Sequence, residues 1–127
     1  MKKDYLIPFL ILGALFGFSL WNSTAIKTDT ARWSNQLKQA VQFIPSENWD
    51  AIERTLQNSY DDWQTRETYL HIVLEHDALD DADAMYRRAF AFTRAKEPQE
   101  LQAELADLQD QLGLLAEMER LSLENIL

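Results

Sequence analysis

The chain contains no cysteine, so disulfides, thiol catalysis and thiolate metal sites are all excluded. Glycine and proline are scarce, three of each in 127 residues, and Gly13, Gly17 and Pro8 fall within one N-terminal apolar stretch. Only Gly113, Pro45 and Pro98 punctuate the rest of the chain. Together with abundant Ala, Leu, Gln, Glu and Arg, this predicts few, long helices. There is no glycine-rich phosphate loop and no Gly-x-Ser-x-Gly elbow. Positive charge is also short: 12 basic residues stand against 21 acidic ones, for a net charge of −9. With Lys2, Lys3 and Asp4 set aside, 20 acids face 10 bases. A domain this negative has no electrostatic reason to approach nucleic acid or anionic headgroups. The charge either keeps a small domain soluble or faces a basic partner or cations.

What is present begins with a basic start, Met1-Lys2-Lys3, and an uncharged run from Tyr5 to Trp21. The run corresponds to roughly 25 Å of helix, near the lower limit for crossing a bilayer, and continuing to Ile26 makes a comfortable span. Tyr5 and Trp21 stand near its two ends, where amphipathic rings favour the membrane interface. Residues 1–26 therefore read as a membrane anchor or signal segment, and residues 27–127 as an acidic extracytoplasmic helical domain. A signal peptide would have the same basic start, and Ser23-Thr24-Ala25 offers a small-x-small cleavage site. The length of the run and the bulk of Trp21 favour an uncleaved, single-pass anchor. Either way, the lysines place the N-terminus in the cytoplasm and the rest outside. Gly13 and Gly17, one turn apart, leave a flat strip against which another membrane helix can pack.

Beyond the anchor, apolar spacing predicts four helices. The first runs from about Thr30 to Ile44, capped by Asp29 or Thr30, with Trp33, Leu37, Ala40, Val41 and Ile44 on one face and Pro45 as its stop. The second is capped by Ser46 and continues the rhythm through Trp49, Ile52, Leu56, Tyr60 and Trp63 to about Glu75, with room for a kink near Thr65–Thr68. The third, capped by Asp77, spans about Ala78 to Lys96 and buries Leu79, Ala82, Tyr86, Ala89, Phe90 and Thr93. Its acids crowd the start and its bases the end, as the helix dipole favours. The fourth opens with Pro98 in its first turn and carries a heptad seam of Leu101, Leu105, Leu108, Leu112 and Leu115. The fold expected is all-α: an N-terminal transmembrane helix followed by an antiparallel four-helix bundle or two stacked helical hairpins. The tail, with Leu121, Leu123, Asn125, Ile126 and Leu127, is unusually apolar for a chain end and is expected to pack into a groove of the bundle or onto a partner.

Candidate chemistry is thin. His71 and Glu75 are one turn apart with His76 adjacent, but neither His-Glu-x-x-His nor His-x-x-Glu-His is present. Asp77 to Asp83 lacks the central glycine and closing glutamate of a calcium loop. Paired acids such as Asp61-Asp62 and Asp80-Asp81 require a concave site to act as acid and base, which sequence does not show. No catalytic residue, cofactor or metal is expected.

Several elements together resemble a family of small proteins catalogued as domain of unknown function 4363. They are the Lys-Lys start and the anchor ending in Ser19-Leu20-Trp21-Asn22, Asn48-Trp49 with Trp63 further on, His76-x-x-Leu79-Asp80, and the terminal Leu121-Ser-Leu-x-Asn-Ile-Leu127. The resemblance implies a membrane-tethered helical domain of Firmicutes without known catalytic residues, in some cases linked to a multi-pass membrane protein. The segment Met85–Phe92 is more aromatic than that family suggests, which leaves the packing partner of the third helix open. The function expected is non-enzymatic interaction: an accessory subunit or assembly factor of a bacterial membrane protein, its partner a multi-pass membrane protein or a second copy, with no nucleic acid and no small-molecule substrate. The rivals are an extracytoplasmic sensor, with Trp33, Trp49, Trp63 and the histidines lining a pocket, and an enzyme built on His71, Glu75, His76 and an aspartate.

Overall fold

The computed structural model describes residues 2–126, and the side chains of residues 4–122, 124 and 125. Four helices account for nearly all of it: α1 (Lys2–Gln42), α2 (Trp49–Val73), α3 (His76–Arg94) and α4 (Pro98–Ile126). Each packs on its two neighbours in a ring, α1 on α2 and α4, and α3 on α2 and α4. Of the two arrangements that the sequence leaves open, this is the closed antiparallel bundle.

The apolar N-terminal segment and the first bundle helix are one element. α1 is 41 residues long, about 60 Å, and passes through Thr24–Thr30 without a break. Neither Asp29 nor Thr30 caps a helix, contrary to the sequence expectation. The reason is tertiary: Asn22 is already buried, and Ile26 is fully enclosed in the core. Burial then recurs at Asp29, Thr30, Trp33, Leu37, Ala40 and Ile44, so the buried stripe starts before residue 27 and extends the helix through the polar stretch. Residues 4–18 of the same helix are exposed on all sides.

The turns differ from the expected ones in a consistent way. α1 closes with Asn48 N–H donating to Phe43 C=O (3.3 Å) and Glu47 N–H to Ile44 C=O (2.9 Å). Glu47 sits at φ 53°, and the cap of α2 is Asn48, not Ser46, its Oδ1 accepting from Ala51 N–H at 3.3 Å. Ser46 Oγ instead donates back to Phe43 C=O. α3 closes likewise, Glu97 N–H donating to Phe92 C=O and Lys96 N–H to Thr93 C=O, with Lys96 at φ 55°. Both are helix ends of the type that usually carries glycine at the left-handed position. Between α2 and α3 only Leu74 and Glu75 turn the chain. α2 therefore ends at Val73, helical without interruption through Thr65–Thr68, and α3 begins at His76, so that Asp77 lies in its first turn and not at its cap.

Most of the predicted core is buried, with Val41, Trp49 and Tyr60 only half-buried against it and Ile26 added to it. All five seam leucines of α4 are buried, as are Leu79, Ala82, Tyr86, Ala89, Phe90 and Thr93 of α3. Aromatic rings bind three of the helices together. Trp33 meets Trp63 edge-on at 5.2 Å between centroids, Trp63 meets Tyr86 at 5.8 Å, and Tyr60 touches Tyr86 at 5.3 Å and Phe90 at 5.7 Å. The aromatic centre of α3 thus packs on α2. Such pairs each add about 0.5–1.5 kcal/mol beyond the area that they bury.

A left-handed non-glycine residue costs roughly 1–2 kcal/mol. Replacing Lys96 or Glu47 with glycine is therefore expected to raise the unfolding free energy, by up to about 1 kcal/mol each, since glycine is tolerant of this conformation but loses more chain entropy. Denaturant unfolding of the full chain in detergent measures it.

Candidate functional site

The features set apart from ordinary bundle packing gather where α1 leaves its exposed stretch and enters the bundle. Here α1 runs between the C-terminal turns of α2 and α4, and the antiparallel packing brings distant residues level with one another. Asn22 Nδ2 donates to Glu119 Oε1 at 2.6 Å, across 97 residues of sequence, and both side chains are buried. Asn22 Oδ1 and the Tyr69 hydroxyl nearby are buried with no partner among the described residues. Burial pushes the Tyr69 phenol up, and Arg66, whose guanidinium lies 4.6 Å from the ring centre, opposes that. Trp21, the last residue of the uncharged run, stands edge-on to Tyr69 at 6.4 Å.

Above this neck, charges alternate along the α1–α2 seam. Asp29 accepts from Arg32 Nη2 (3.0 Å) and Arg66 Nε (2.8 Å). Asp62 accepts from Arg32 Nε (2.6 Å) and from the indole N–H of Trp33 (2.9 Å). Asp29, expected as a cap, is a mid-helix acceptor clamped by two arginines. Deeper in the bundle, Tyr86 shares a hydrogen bond of 2.8 Å with Ser59, and its phenol is pushed far above the ordinary value of 10.0 by burial.

The sequence candidates fall into different places. Gly13 and Gly17 lie on the exposed part of α1, and a Cβ added at either meets nothing within 4 Å, so that face is open within the chain. In the tail, Leu121 and Asn125 are exposed on a helix that continues to Ile126. The side chains of Leu123 and Ile126, and Leu127 altogether, lie outside the described residues. His71 and His76 face one another across the α2–α3 corner, Nδ1 to Nδ1 at 3.1 Å, while Glu67 stands 3.6 Å from His71 Nε2. Glu75, the residue expected to share a face with His71, is instead the exposed residue just before α3. Among the described residues no group of three or more His, Asp or Glu side chains is arranged to hold a metal ion. Trp33 and Trp63 are wholly inside the core and Trp49 is half-buried. One surface depression lies along the outer side of α1, beside Lys27, Ala31, Arg32, Asn35 and Gln39, and no tryptophan lines it. Asn22 closes the Ser19-Leu20-Trp21-Asn22 element, but nothing in the sequence pairs it with Glu119; only the packed bundle makes them neighbours.

Fold and neck together define a class of protein: a four-helix bundle whose first helix extends beyond it as a bare apolar rod, long and apolar enough to cross a membrane, with a mean hydropathy of 1.7 in its most apolar stretch. The chain matches the family described as domain of unknown function 4363 over residues 20–126, and it belongs to that family. The match begins at Leu20, at the neck itself. No curated protein and no solved structure matches the chain.

Two outcomes are expected. Asn22→Leu removes the donor to a buried carboxylate and should cost about 1–3 kcal/mol of unfolding free energy. Adding Glu119→Leu should recover most of that, because removing both partners leaves no unpaired polar group. The second outcome concerns alkali. An unfolded Tyr86 gives up its proton near pH 10, whereas the folded one keeps it, so the folded state binds more protons there and stability falls as pH rises above 10. Tyr86→Phe is expected to make that decline shallower, at a cost of about 1 kcal/mol near neutral pH for the lost Ser59 bond. Thermal unfolding as a function of pH reads both.

Proposed function

We propose that this protein is a non-enzymatic, single-pass membrane protein that acts by interaction, as an accessory subunit or assembly factor of another membrane protein. The N-terminus lies in the cytoplasm, by the position of Lys2 and Lys3, and the acidic bundle lies outside. The observation that carries the reading is the unbroken α1, with bundle packing that begins at Asn22. Cleavage after Ala25 would discard Asn22 and leave Glu119 buried without its donor, which favours an anchor that is kept over a signal peptide that is removed.

An anchor rigidly joined to a bundle sets the bundle at a defined height and rotation relative to whatever its membrane face touches. The open strip at Gly13 and Gly17 is that face, since two glycines one turn apart let a second helix approach closely. The partner is a multi-pass membrane protein or a second copy of the chain. A ligand-sensing role would draw on the tryptophans, but two of the three candidates are spent on the core.

Crosslinking in native membranes, followed by purification of the full chain in mild detergent, is expected to recover it in a stoichiometric complex. Recovery as a lone monomer at native abundance would remove the proposal. Gly13→Leu with Gly17→Leu is expected to lower recovery of the complex severalfold while leaving the bundle's unfolding unchanged, because both positions lie on the exposed part of α1 and a Cβ there meets nothing within 4 Å.

A further inference from the structure

Among the described residues outside the apolar run, exposed large aliphatic side chains are few: Ile72 at 77% exposure, Leu114 at 47% and Leu121 at 46%. Two of these three lie at the same end of the bundle. Ile72 is in the last turn of α2, three residues past Tyr69, which touches Trp21. Leu121 is two residues past Glu119, the partner of Asn22. Because α2 and α4 both run antiparallel to α1, each of these short advances moves toward the apolar run. Ile72 and Leu121 therefore stand within about one helical turn, ~5 Å, of the level of Trp21, itself 58% exposed.

We propose that this end of the bundle is seated in the lipid headgroup layer, with Trp21, Ile72 and Leu121 in contact with lipid. The inference rests on the anchor reading above. Its physical basis is the absence of a linker. Bundle packing begins at Asn22, so the span ends by Trp21: the run from Tyr5 is roughly 25 Å of helix, near the lower limit for a hydrocarbon core, which brings its end at Trp21 to the bilayer surface, where such rings favour the interface. α1 is continuous there, and nothing lifts the bundle clear of the surface. The headgroup layer, roughly 5–8 Å deep on each side, then coincides with the level of the two aliphatic side chains. Charge sets the depth. Glu75, His76 and Asp77 are exposed at the α2–α3 corner, and Arg120 is held by Glu117 and Glu124, so that this end is hydrated and acidic around its apolar points. It enters the headgroup layer and stops short of the hydrocarbon. Because the surrounding charge is negative, the contact does not depend on anionic lipid.

The absence of cysteine makes the test direct. Single-cysteine variants Leu12→Cys, Ile72→Cys, Leu121→Cys, Ser46→Cys and Gln102→Cys of the full chain are labelled with an environment-sensitive fluorophore in phosphatidylcholine vesicles. Lipids brominated at defined depths and aqueous iodide then serve as quenchers. The expected result is deep-lipid quenching at position 12, shallow-lipid quenching at 72 and 121 severalfold above that at 46 and 102, and iodide quenching dominant at 46 and 102. Lipid quenching at 12 with water-like behaviour at 72 and 121 overturns the seating and leaves the anchor standing. A water-accessible position 12 overturns both. Protection of 72 and 121 from iodide without lipid quenching assigns the patch to a second copy of the chain and also overturns the seating.

Discussion

A continuous α-helix does not bend without a cause, and α1 has no glycine or proline between Leu20 and Gln42. Its ladder of backbone hydrogen bonds passes from the bare apolar stretch into the bundle core with no glycine, proline or loop between them. Every other relation in the molecule depends on that. The apolar segment and the bundle cannot rotate or rise independently, as two domains joined by a flexible tether would. Force or displacement applied to one is transmitted to the other.

The helix needs support where its own propensity is weakest. Residues Asn22 to Thr30 include three threonines, a serine, an asparagine and an aspartate, all of which compete with helix by bonding their own backbone. The bundle compensates by giving many of these residues something to do. Asn22 reaches Glu119, Ile26 enters the core, and Asp29 receives two arginines. Thr30 turns its hydroxyl back onto Lys27 C=O, as helical threonines do. The half-buried ion pairs are individually modest contributors. Their effect here is positional, since Asp29–Arg66 and Arg32–Asp62 cross from α1 to α2 and fix the rotation of α1 about its axis relative to α2.

Membership of the domain of unknown function 4363 family agrees with this emphasis, because the region matched begins at Leu20, where the neck begins. The aromatic column of Trp33, Trp63, Tyr86, Tyr60 and Phe90 has a different task. It fills the middle of the bundle with rigid rings, and it accounts for the unusually aromatic centre of α3 without any need for a ligand.

Periodicity by itself determined that the chain is helical, which faces are buried, and where Pro45 and Pro98 interrupt it. A stripe repeated every three and four residues has one way to leave water, and the leucines of α4 carry it plainly. Helix ends were harder to see. Glu47 and Lys96 take a conformation that normally announces itself through glycine, and Asn48 caps α2 two residues beyond the equally eligible Ser46. Only the tertiary structure decided that the apolar N-terminal segment and the first bundle helix are one rod. Capping preference is local, and Asp29 satisfies it; the burial of Ile26 and the bond from Asn22 to Glu119 come from parts of the chain that are neighbours only after folding, and their combined free energy exceeds the roughly 1 kcal/mol at stake in a cap.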